Sequence, residues 1–157
     1  MDNEYKLHTL AEIARALNAE KITWAVGASL LLYFKGIVPE FHDIDIMVAE
    51  PDAERAKAAL CRIGSLAPQR GEPQYKTRWF LEYTVNGVDV DMMAGFVIVR
   101  DGVDCECPLL AEDMGDTTVV DGETVPLHSL SAWRRNYALM GRTAKAEMID
   151  KYLSENP

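Results

Sequence analysis

Three cysteines in 157 residues are too few, and odd in number, for a disulfide framework. Cys105 and Cys107 have no second Cys or His pair at zinc-finger spacing, so Cys61, Cys105 and Cys107 read as free thiols. The start, Met1-Asp2-Asn3-Glu4, lacks the basic and then apolar run of a secretory signal. The longest apolar stretch, Ile22 to Phe34, is broken by Thr23, Gly27 and Ser29 and is too short to span a bilayer. Positive charge is scarce as well: 16 Lys and Arg against 25 Asp and Glu leave a net charge of −9. Such a surface repels a phosphate backbone, so no long nucleic acid is expected as a partner. It suits a metal cation, a cationic small molecule or another protein. With no repeat, low-complexity tract or Gly/Ser linker, the chain is expected to form one soluble, cytoplasmic domain over residues 1–157.

Hydrophobic residues make up 48% of the chain, enough for a core, and their spacing predicts its elements. His8 to Ala19 has helical periodicity, with Thr9 and Glu12 as a capping box. Ile22 to Val26 reads as a short strand ending at Gly27, and Ser29 to Phe34 as a helix closed by Gly36. Phe41 to Val48 alternates: Ile44, Ile46 and Val48 face one way, Asp43, Asp45 and Met47 the other. A helix follows from Pro51 to Ile63, then an irregular loop from Gly71 to Lys76. Trp79 to Val85 and Val88 to Met93 flank Asn86-Gly87, a pair that favours the positive φ angles of a type I′ hairpin turn. Phe96 to Arg100 and a run after Asp101-Gly102 extend the meander. Asp121-Gly122 turns a small hairpin from Thr117 to Pro126, and Ser129 to Met140 and Thr143 to Leu153 close the chain as helices. The expected class is α+β, a mixed sheet flanked by helices, with a core at about 20–127 and a helical segment at about 128–157.

The chemistry sits on three short stretches. Asp43 and Asp45 are two apart on a strand, so both carboxylates leave the same face and repel each other unless a cation lies between them. Hard oxygen ligands in that arrangement suit Mg²⁺ or Mn²⁺, and Mg²⁺ is commonly completed by substrate phosphates. Asp89 and Asp91 form a second pair on the strand after the Asn-Gly turn. Three carboxylates holding two metals is a recurring device for nucleotidyl transfer. Gly27-Ala28-Ser29 lies between a strand and a helix, where glycine admits close backbone approach, the helix N-terminus favours an anion, and Ser29 adds a hydroxyl donor.

With these residues the sequence resembles the DNA polymerase β-like nucleotidyltransferase superfamily. Its pattern is hydrophobic-Gly-(Gly/Ser), a helix, Asp-hydrophobic-(Asp/Glu)-hydrophobic, and a third carboxylate on a later strand. Val26-Gly27-Ala28-Ser29 matches the first part, Asp43-Ile44-Asp45-Ile46 the second and Val90-Asp91-Met92 the third. The similarity runs from about Leu10 to Leu153 and points to small bacterial members: lincosamide and aminoglycoside nucleotidyltransferases and minimal nucleotidyltransferases. Gly141-Arg142 and Lys145 resemble a feature that often follows the core in such proteins. Ala28 departs from the pattern, which shifts Ser29 within the loop, and the third carboxylate is either Asp91, which is favoured, or Asp89.

The resemblance implies a nucleotidyltransferase fold and transfer of an NMP group from an NTP, ATP above all, to a hydroxyl of a small molecule or protein. Asp43, Asp45 and Asp91, with Asp89 in reserve, would hold Mg²⁺ or Mn²⁺, and Gly27, Ala28 and Ser29 the phosphates. A second implied reading is a module that acts through a toxin-like protein partner. Plainer roles compete for several residues. Gly27 also suits a turn and Ser29 an N-cap, His42 a strand-start surface position, and Lys76, Arg78, Arg134 and Arg135 solvated charge. Trp24, Trp79 and Trp133 read as core, and His8 and His128 have no motif around them.

Overall fold

A computed structural model describes residues 1–157. Helix α1 (Asn3–Ala19) leads into β1 (Trp24–Val26), α2 (Ala28–Phe34) and β2 (Ile44–Val48). A 3-10 turn at Glu50–Asp52, α3 (Ala53–Cys61) and the two-residue β3 (Ser65–Leu66) follow. Then come β4 (Trp79–Val85), β5 (Val88–Ala94), β6 (Val97–Arg100), β7 (Val103–Glu106), a 3-10 turn at Ala111–Asp113, β8 (Met114–Val120) and β9 (Glu123–His128). Helices α4 (Leu130–Leu139) and α5 (Thr143–Glu155) end the chain.

Seven strands form one mixed sheet in the order β3-β4-β5-β2-β1-β9-β8, and β6-β7 form a separate ribbon. The hairpin turns are local decisions. Asn86, Asp101 and Asp121 have φ of +53°, +51° and +49°, and each is followed by a glycine with positive φ. Gly95, also at positive φ, ends β5 and lets β6 leave the main sheet.

The two faces of the sheet are covered differently. Ile44, Ile46, Val90 and Met92 point to one face and are fully buried. Tyr83, opposite Val90, points the same way and donates from its hydroxyl to the Lys57 carbonyl of α3. That face therefore carries α3, and α1 packs against it. The other face carries Asp45 and Asp91 and is only partly covered, by α4, the α4–α5 turn and the ribbon. The core holds the sheet rigidly from one side and leaves the second side for a cleft.

Three expectations are refined. Helix α1 begins at Asn3, capped by Asp2, whose side chain accepts from the Tyr5 amide; Thr9 is buried within the helix and caps nothing. The extra turn is secured by Tyr5, whose hydroxyl donates to the Asn86 carbonyl of the β4–β5 turn. The last hairpin is longer than Thr117 to Pro126, because β8 and β9 pair from Met114 to His128. Trp24 and Trp133 are core residues, whereas Trp79 is half-buried.

Candidate active site

Strands β2 and β5 run parallel in a register that pairs Asp45 with Asp91. Both carboxylates therefore leave the same face from adjacent strands. Asp43 lies one residue before β2 and joins them on the wall of one cleft of about 300 Å³. Asp89, also on β5, is exposed and lines a neighbouring hollow of about 270 Å³ together with Asp43 and Asp91. The structure thus brings Asp43, Asp45 and Asp91 together in the main cleft and puts Asp89 at its rim.

The crowding of like charges is visible in the proton equilibria. Burial, followed by Asp91 and Asp43, pushes the Asp45 carboxyl up to about 8, with Arg142 opposing. Burial, then Asp43, Glu82 and Asp89, pushes Asp91 up to about 6, with Arg70 opposing. Burial and Asp89 raise Asp43 as well. Asp43 disfavours ionisation of Asp91, both disfavour ionisation of Asp45, and a divalent cation would relieve all three.

The loop after β1 approaches these carboxylates. The Gly27 amide donates to the Asp45 carbonyl at 3.0 Å, continuing the β1–β2 pairing by one bond. Ala28 has a φ of +51°, left-handed and uncommon for a residue with a Cβ, and it lines the cleft. Ser29 lies one residue into α2, and the wall is formed by Ala28 instead. Gly27 has an extended φ of −133°, which any residue adopts. Its need for a missing side chain comes from Trp133, whose indole would lie 2.5 Å from a Cβ at that position.

Helices α4 and α5 supply the opposite wall. Trp133 and Tyr137 of α4 line the cleft, as does Arg142, which caps α5 and stands with its guanidinium carbon 5.5 Å from the Tyr137 ring centre. Lys145 is half-buried on α5 and takes no part in the cleft wall. The other basic residues are engaged elsewhere: Lys76 with Asp104, Arg78 with Glu50 and Glu106, Arg134 with Asp150. His42 is exposed.

Two cleft residues escaped the sequence analysis. Glu82 on β4 is the antiparallel register partner of Asp91, and it receives two hydrogen bonds from Arg70, at 2.9 and 3.0 Å. A two-residue turn fixes that register, so Asn86-Gly87 already pairs Val85 with Val88 and hence Glu82 with Asp91. Arg70 comes from the irregular loop after β3 and borders the cleft, the rim hollow and a third cavity of about 360 Å³ beside Tyr75 and Phe80. No spacing in the sequence marks it.

No three His, Cys, Asp or Glu side chains are drawn into a ready cage for one ion. The donor set still fits a hard cation that completes its shell with phosphate oxygens and water, as Mg²⁺ does.

No protein-family model matches the sequence, and no curated protein matches it significantly. Solved structures do. A Thermotoga maritima protein provisionally classed as a nucleotidyltransferase is similar over 99% of this chain and 97% of its own, at 27% identity and a TM-score of 0.74. The antibiotic-resistance factor ANT(2'')-Ia is similar over 98% of this chain and 86% of its own, at 13% identity and a TM-score of 0.70. The lincomycin-bound lincosamide antibiotic adenylyltransferase LnuA is similar over 92% of this chain and 96% of its own, at 12% identity and a TM-score of 0.62. The chain has the nucleotidyltransferase fold, and no helix in it is long and apolar enough to cross a membrane.

Proposed function

We propose that the protein is a metal-dependent nucleotidyltransferase that moves an NMP group from an NTP to a hydroxyl acceptor and releases pyrophosphate. The observation that carries this reading is the convergence of Asp43, Asp45 and Asp91 on one cleft wall, with the Gly27–Ala28 loop at its edge. The matched fold includes an adenylyltransferase, which favours ATP as donor.

In this reading Asp43 and Asp45 would hold Mg²⁺, and Asp91 would help to hold a second cation. When bound, the cation would supply neutralisation of triphosphate charge and a lowered pKa for the attacking hydroxyl. Asp91, its carboxyl raised by burial and then by its acidic neighbours, would accept the hydroxyl proton. Arg142 adds positive charge on the opposite wall, where negative charge develops on the departing pyrophosphate. Ala28 would flank the phosphates from the cleft wall, with Gly27 and Ser29 shaping the loop on either side of it. Trp133 and Tyr137 exclude water from one side of the cleft. The acceptor is a small molecule or a protein side chain that reaches the rim beside Arg70, Glu82 and Asp89, and the acidic rim favours an acceptor of positive charge.

The test is calorimetric titration of the purified protein with ATP, with Mg²⁺, and with both. Binding that requires both components, and that is lost in Asp43→Asn/Asp45→Asn, supports the assignment and opens a pyrophosphate-release screen over acceptors. Failure of all four common nucleotides to bind with Mg²⁺ or Mn²⁺ would overturn it.

A further inference from the structure

Trp133 is held on its far side by His128. The indole N–H donates to His128 Nδ1 at 3.0 Å, a fully buried bond. Tryptophan offers a donor and no acceptor, so Nδ1 must be bare and the neutral ring carries its proton on Nε2. That Nε2 has no protein partner. An orphaned buried donor is unfavourable, so the ring bears a penalty in order to present Nδ1 to the indole.

The position of this pair in the fold is informative. Strands β1 and β9 are parallel and register Val26 with Leu127. Gly27 directly follows β1 and His128 ends β9, each one residue beyond that register pair. Ser129 then caps α4, accepting from the Ala132 amide, and the first turn of α4 brings Trp133 back over Gly27. The indole is thus pinned between His128 and Gly27. Beyond Gly27 lies Ala28 at a φ of +51°, a conformation that persists in a non-glycine residue only where its surroundings hold it.

We propose that His128 is a positioning residue: it clamps the Trp133 indole onto Gly27 and so holds the Gly27–Ala28 loop in its left-handed turn beside Asp45. The clamp itself is a structural assignment; its effect on nucleotide affinity rests on the function proposed above.

The experiment compares His128→Asn with His128→Leu in the full chain. The two side chains have nearly the same shape, and the Asn oxygen stands where Nδ1 stands, so Asn keeps the acceptor and Leu removes it. Hydrogen exchange is followed at the Trp133 indole N–H and at the Gly27 amide, relative to amides in the centre of β5. Affinity for Mg-ATP is then measured by calorimetry. His128→Asn is expected to exchange within about twofold of wild type, and His128→Leu to exchange about tenfold faster at both sites and bind Mg-ATP about fivefold to tenfold more weakly. Should His128→Leu not fold, His128→Ala makes the same comparison. A folded Leu or Ala variant with wild-type exchange at Gly27 would overturn the clamp. Faster exchange at Gly27 in a protein that binds no Mg-nucleotide would support the clamp and overturn the nucleotidyltransferase reading instead.

Discussion

Asp45 and Asp91 are register partners on parallel strands; burial raises the proton affinity of both, and Asp91 raises that of Asp45 further. The sheet is therefore destabilised where the cleft is built. Asp45 titrates near 8 folded and near 3.8 unfolded, so the folded state binds more protons between these values. Stability without metal must then fall as pH rises through that window. Between pH 6.5 and 8 the loss is on the order of 1–2 kcal/mol. Asp45→Asn should flatten this slope and melt higher than wild type at pH 8, while losing nucleotide binding. Thermal melts at several pH values without divalent ions provide the check; an Asp45→Asn variant less stable than wild type at pH 8 would refute the argument.

The two candidates for the third carboxylate separate by environment. Asp91 lines the cleft with Asp45, whereas Asp89 is exposed at the rim. If chemistry needs a carboxylate facing the reacting atoms, Asp91→Asn should lower the rate of pyrophosphate release at least about a hundredfold. Asp89→Asn should cost no more than about tenfold, through weaker attraction of the acceptor. Steady-state kinetics of the two variants decide, and equal losses would count against the assignment.

What was readable in the chain was local. The Asp-Ile-Asp alternation, the three X-Gly turns and the two closing helices each follow from a few adjacent residues. The contacts that finish the site are not local. Trp133 covers Gly27 from 106 positions away, and Arg70 reaches Glu82 from a loop without periodicity. The α1 start moved because Tyr5 is anchored on Asn86, a contact that no helix propensity contains. Glu82 lies between these cases: its pairing with Asp91 follows from counting back across the Asn86-Gly87 turn. Gly27 was legible as a glycine for close backbone approach or a turn, whereas the packing of Trp133 against it was not.

That packing is measurable. Because Gly27 is extended, an alanine there has no backbone strain, and the whole penalty is overlap with the indole. Gly27→Ala should destabilise by about 1–3 kcal/mol in denaturant melts. Trp133→Leu removes the clash and opens a cavity of its own, so the double variant should be more stable than the sum of the singles predicts, by on the order of 1 kcal/mol. Additive effects would mean that the indole moves aside freely.

His128 gives the opposite pH response to Asp45. Burial pushes its imidazole down to about 4, with Asp113 opposing and Arg135 reinforcing. The unfolded chain takes up the proton near 6.5, so between 6.5 and 4 the unfolded state binds more protons and stability falls as pH falls. The full loss is roughly 3 kcal/mol across the window. Asp45 and Asp91 act in the other direction over part of the same range, so the wild-type curve alone mixes the signs. The difference between wild type and His128→Asn isolates the histidine. Denaturant melts at pH 7, 6, 5 and 4.5 should show the asparagine variant gaining on wild type at each step down, and parallel curves would show that the buried ring does not resist protonation.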